Sequence, residues 1–169
     1  MDAESVEKAH FFGYSMGGYV ALKLAHDYPG RVGKIIMLGT KFKWDSESAS
    51  KDVRMMNPEI IEQKIPAYAA TLAARHQPGN WKSIMIRTGE MMTALGDGKA
   101  MTAEQFAAIP HSVLVCIGSE DHMVSIEESN MVANLLPHGT LRVIDGVKHP
   151  LEGVDKVLLS ALLSSYIAD

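Results

Sequence analysis

An α/β fold, with a mostly parallel sheet of about four strands, is predicted by three observations. Short apolar runs at 10–13, 34–39, 112–118 and 141–144 are too continuous for a half-exposed sheet. Helical spacing fills the stretches between them, and buried strands alternating with helices mark a parallel sheet covered on both faces. A Gly-x-Ser-x-Gly turn joins the first run to the first helix.

The elements follow in order. Val6 and Ala9 lead into the strand at 10–13. Val20, Ala21, Leu24 and Ala25 then recur at helical spacing until Pro29-Gly30 stops the helix. Lys34-Ile35-Ile36-Met37-Leu38-Gly39 is the second strand. From Lys41 to Ile109 no strand pattern appears. Pro58, Pro66 and Pro78 punctuate helical stretches at 58–65, 67–75 and 81–95, and Thr102 caps a short helix. Met55, Met56, Met85, Met91, Met92 and Met101 make this stretch Met-rich. Such residues fill irregular core gaps; the functional alternative is an apolar lid over a substrate pocket. Sheet character returns at 112–118, followed by a helix at 126–136, a turn at Pro137-His138-Gly139, a strand at 141–144 and a helix at 154–167. Residues 1–40 and 110–169 therefore form the expected core, and 41–109 a helical cap inserted into it.

Bulk properties exclude several classes. The 169 residues suit one domain, with 47% hydrophobic and 21% charged residues. A net charge of -4 without a basic stripe argues against nucleic acid as a partner. No apolar run reaches the roughly 18–20 residues needed to cross a bilayer. The acidic start Met1-Asp2-Ala3-Glu4-Ser5 lacks a signal-peptide pattern, so a cytoplasmic location is the simplest expectation. The single cysteine, Cys116, excludes an internal disulfide and reads as an inert core thiol.

The chemistry centres on Gly13-Tyr14-Ser15-Met16-Gly17. Between a strand and a helix, this pattern lifts a serine on a strained turn, with glycines giving strand and helix room to pass. The helix that follows directs its free N–H groups at the site, so the Met16 N–H is the expected oxyanion donor. Serine needs a base, and the base needs an orienting carboxylate, in chain order Ser, Asp or Glu, His. Asp121 follows the third strand in Gly118-Ser119-Glu120-Asp121-His122, and His149 follows the fourth in Gly146-Val147-Lys148-His149-Pro150. All three residues stand past the C-terminal ends of parallel strands, the edge where such sheets bind ligands. Glu120 and Asp145 are alternative acids, and His122 an alternative base that comes too soon after the acid. His10, His26, His76, His111 and His138 read as surface or packing residues, and Glu152 as the cap of the last helix.

These motifs resemble the α/β-hydrolase superfamily, near its esterase, lactonase and C–C hydrolase branch. Gly-Tyr-Ser-Met-Gly-Gly at 13–18 is similar to the family's nucleophile turn. Tyr28-Pro29-Gly30-Arg31-Val32 and residues 34–40 resemble the stretch that leads into its next strand. Residues 118–124 resemble its acid loop, pointing to Asp121, and Val147-Lys148-His149-Pro150 its histidine loop. The resemblance implies a partial α/β-hydrolase fold, because only 14 residues precede Ser15 where the family places several strands. It also implies that the loop supplying a second oxyanion donor is missing. The strand at 10–13 is then left with an open edge, and a homodimer through that edge is expected.

The expected activity is hydrolysis of a small ester, thioester or related acyl substrate by Ser15, His149 and Asp121. No cofactor and no metal are expected, since no HExxH or clustered Cys/His occurs. A binding module that kept these residues but lost activity is the alternative, and C–C bond hydrolysis is a third expectation.

Overall fold

The computed structural model describes residues 1–168. In chain order its main elements are β1 (Ala9–Tyr14), α1 (Met16–Asp27), β2 (Val32–Leu38), α2 (Ser46–Met55), α3 (Pro58–Lys64), α4 (Pro66–Arg75), α5 (Trp81–Ala94), α6 (Ala103–Ala107), β3 (Val113–Gly118), α7 (Ile126–Leu135), β4 (Gly139–Ile144) and α8 (Lys156–Ala168). The four strands form one sheet in the order β1-β2-β3-β4, and every neighbouring pair is parallel. Gly13 pairs with Met37, Leu38 with Cys116 and Gly118 with Ile144, so the C-terminal strand ends share one edge.

The period of two along the strands sorts the core into two layers. Ile36, Leu38, Leu114, Cys116 and Ile144 pack with Val154 and with Leu162 of α8 on one face. Met37 turns to the opposite face, where a Cβ on Gly18 of α1 would stand 3.1 Å from its own Cβ. Helices thus cover both faces, as continuous apolar strands require.

The chain divides into two compact units, Met1–Lys43 with Met101–Asp169, and Trp44–Ala100. The helical unit has its own core of Ile61, Ala69, Leu72 and Trp81, with Met85 packed against it. Its boundaries are narrower than the expected 41–109. Residues 101–109 belong with the sheet unit, where α6 packs on α1 and α7 and the Met101 N–H donates to the Tyr19 hydroxyl at 2.6 Å.

Capping accounts for several helix starts. Thr102 accepts from the Gln105 N–H, as expected, in a reciprocal capping box. Asp45 caps α2 in the same way, and α2 itself was not among the expected helical stretches. Asp155, not Glu152, caps the last helix, accepting from Val157 N at 2.7 Å and Leu158 N at 3.0 Å. Among the described residues no helix is long and apolar enough to cross a membrane.

Candidate active site

β1 ends at Tyr14 and α1 begins at Met16, leaving Ser15 alone on the turn with φ 51° and ψ -122°. A non-glycine residue rarely takes positive φ, and the cost is accepted where the surroundings hold it. Here the Ser15 N–H donates to the Leu38 carbonyl at 2.9 Å, and the Gly18 N–H donates to the Ser15 carbonyl at 3.1 Å. The glycines divide their work differently from expectation. A Cβ on Gly13 would lie 2.4 Å from Gly18 N, and one on Gly18 would lie 2.0 Å from Thr40 Oγ1, whereas one on Gly17 would meet nothing. Clearance between strand and helix therefore rests on Gly13 and Gly18. Met16 leads α1, so its N–H has no partner within the helix.

The structure brings Ser15, His149 and Asp121 together from three loops at one sheet edge. His149 Nδ1 lies 2.8 Å from Asp121 Oδ2, and His149 Nε2 lies 3.2 Å from Ser15 Oγ. The side chains of His149 and Asp121 are only 10% and 2% exposed, so little water competes for the pair. An ionised carboxylate only accepts, which assigns the imidazole proton to Nδ1 and leaves Nε2 as the acceptor for the serine hydroxyl. The second Asp121 oxygen accepts from Met123 N at 2.8 Å and Val124 N at 3.0 Å, fixing the carboxylate from its own loop.

The acid and histidine loops are joined along their length. Ser119 N donates to the Ile144 carbonyl at 2.9 Å and Glu120 N to the Val147 carbonyl at 3.0 Å. The Ser119 hydroxyl donates to Asp145 Oδ1 at 3.2 Å and accepts from Gly146 N at 2.8 Å. Glu120 and Lys148 approach at 3.8 Å on the surface. Glu120 and Asp145, the alternative acids, thus bind the two loops to each other, and the alternative base His122 is exposed.

Two contributions escaped the sequence reading. Gly39 follows β2 with φ +61°, and a Cβ there would stand 3.1 Å from Asp121 Oδ2. The Tyr14 hydroxyl donates to the His149 carbonyl at 2.8 Å. The only signals were a glycine directly after an apolar run and a tyrosine in the variable position of the turn. Among the described residues no group of three or more His, Cys, Asp or Glu side chains could hold a metal ion.

Comparison with known proteins bears on the family and the fold. The chain is 23% identical over 191 aligned residues to 2-hydroxymuconate semialdehyde hydrolase of Pseudomonas sp. (strain CF600), with all of this chain covered but only 65% of that relative's length. The solved structure of 2-hydroxy-6-oxo-6-phenylhexa-2,4-dienoate hydrolase from Rhodococcus sp. strain RHA1 superposes with TM-score 0.73 at 22% identity, covering 100% of this chain and 67% of that one. A thermophilic esterase from Thermogutta terrifontis superposes with TM-score 0.68 at 21% identity, covering 99% and 67%. At these identities the structural likeness speaks for the fold. The sequence profile of the family described as serine aminopeptidase, S33, matches residues 2–153, nearly the whole of this chain. The chain belongs to this S33 family of the α/β-hydrolase superfamily.

Proposed function

We propose that this chain carries the catalytic groups of a serine hydrolase acting on a small carbonyl compound through an acyl-enzyme. Ser15 attacks the carbonyl carbon while His149 Nε2 takes its proton. Asp121 holds the imidazole in the required tautomer and stabilises the imidazolium. The Met16 N–H donates to the oxyanion. His149 then returns the proton to the leaving group, and water repeats the sequence to release the acid. One observation carries this reading: a single, largely buried imidazole lies within reach of a hydroxyl at one nitrogen and a carboxylate at the other.

Two substrate classes fit. Esters and thioesters need only the steps above. The relatives named for semialdehyde and oxo-dienoate substrates favour a second reading, in which the bond broken joins carbon to carbon beside a ketone and the leaving group departs as a carbanion that takes up a proton. Turnover of short 4-nitrophenyl esters, compared with turnover of a 6-oxo-2,4-dienoate, separates the two. Turnover of neither, with no covalent capture of Ser15 by a fluorophosphonate, rejects both and leaves a non-catalytic binding module.

A further inference from the structure

Tyr14 occupies the position before Ser15, where the Gly-x-Ser-x-Gly pattern places no demand. Its backbone is the last residue of β1, in register with Leu38 of β2. Its ring packs against the apolar cluster that contains Leu38, Cys116 and Ile144. From this fixed base its hydroxyl donates to the carbonyl of His149, 135 residues further on, at 2.8 Å. The same ring lies against the imidazole, with centroids 5.4 Å apart and planes tilted by 45°.

His149 sits on a loop that has a glycine at φ +68° three residues before it and Pro150 directly after. The Asp121 bond fixes one nitrogen of the ring, yet an imidazole held at one nitrogen can still swing about that bond. The Tyr14 hydroxyl adds a second anchor on the backbone of the same residue. That anchor sits on the strand end that also presents Ser15, so a shift of this strand end carries hydroxyl and imidazole together.

Resting on the function proposed above, we infer that Tyr14 is a positioning residue, whose hydroxyl ties His149 to the strand bearing Ser15 and so maintains the separation across which the proton moves. A misplacement of about 1 Å between reacting groups can cost on the order of a hundredfold in rate, so a tether of this kind has leverage beyond its own bond energy.

The test compares the unsubstituted chain with Tyr14→Phe, which keeps the ring in its apolar contact and deletes only the hydroxyl. Two readouts are taken on each: the rate of fluorophosphonate labelling of Ser15, and the downfield proton resonance of His149 Nδ1–H, identified by its disappearance in His149→Gln. Tyr14→Phe is expected to slow labelling by about 10-fold or more, beyond the roughly 3- to 10-fold equivalent of one net hydrogen bond. It should also broaden or displace the resonance while thermal unfolding stays cooperative. The resonance is the arbiter. A line unchanged by Tyr14→Phe, or absent from the unsubstituted chain, overturns the inference whatever the labelling rate. Failure of the unsubstituted chain to label at all sinks the proposed function instead, and the resonance still decides the role of Tyr14.

Discussion

Gly39 and His149 approach so closely that a Cβ on Gly39 would stand 3.2 Å from His149 Nδ1, a few tenths of an ångström inside ordinary van der Waals contact. The same atom would meet Asp121 Oδ2, and the backbone there has φ +61°. Gly39→Ala should therefore act twice. The left-handed backbone costs about 1–2 kcal/mol for a residue with a Cβ, lowering the melting temperature. The new methyl also pushes the imidazole and carboxylate apart, and labelling of Ser15 by a fluorophosphonate should slow by about 10-fold or more. An unchanged labelling rate would mean that the pair is not confined as described.

Asp121→Asn tests the tautomer. An amide presents a donor as readily as an acceptor to His149 Nδ1, and the imidazole can then carry its proton on Nε2, facing Ser15. Activity should fall by about 10⁴-fold, as when the acid of a serine triad loses its charge. Circular dichroism should stay unchanged, because the shape of the side chain is kept. A loss of only a few fold in ester turnover would argue that Asp121 does not set the protonation of His149.

Cys116 is 1% exposed in the middle of β3, and burial pushes its thiol from an ordinary 9.0 up to about 12. In the folded chain it should resist iodoacetamide at pH 8 and react once the chain is unfolded in guanidinium. The sign of the linkage follows. The unfolded thiol loses its proton first, so this group's contribution to stability is complete below about pH 9 and is lost as pH rises toward 12. Replacing it with Ala or Val should flatten that alkaline loss in a denaturation series. An identical alkaline decline in the substituted chain would assign the loss to other groups.

Glu128, in the first turn of α7, takes the N–H groups of Phe42 and Lys43 on a single carboxylate oxygen. Those residues are the last of the sheet unit before the helical one begins. Glu128→Ala removes the shared acceptor, and a donor left without its partner costs about 1–3 kcal/mol when it is buried. Amide exchange at Phe42 and Lys43 should accelerate, whereas exchange within β2 should not. Equal protection in both proteins would mean that the carboxylate does not hold this segment.

The sheet and the three meeting side chains were legible because each rests on local pattern. Continuous apolar runs mark β2 and β3, and Ser15, Asp121 and His149 each follow a run at its C-terminal end. Parallel pairing then brings those ends together without further information. Gly39 and Tyr14 were not legible as parts of the site, nor was Glu128 as the acceptor for Phe42 and Lys43. Their roles arise from proximity across the fold, and nothing in their immediate neighbours encodes it. α2 was missed for a different reason. Its sequence, Ser-Glu-Ser-Ala-Ser-Lys-Asp-Val-Arg-Met, is mostly polar, with apolar side chains only at Ala49, Val53 and Met55, and its start depends on the Asp45 cap. The boundary near 100 moved because 101–109 resembles the helical stretch before it in composition, yet its contacts are with α1 and α7. Glu152 lost its capping role to Asp155 because α8 begins at Lys156, two residues later than expected, after the tight turn at Leu151–Gly153.

The account stands on the claim that His149 and Asp121 serve Ser15 as a single unit. The most direct measurement is the rate of Ser15 modification by a fluorophosphonate in the unsubstituted chain, in His149→Ala, and in the double substitution His149→Ala with Asp121→Ala. Groups that act together do not lose their effects additively. The account predicts a steep fall with His149→Ala and a double substitution that modifies no more slowly than that single one, within about a factor of two. Modification of the unsubstituted chain no faster than that of His149→Ala would contradict it.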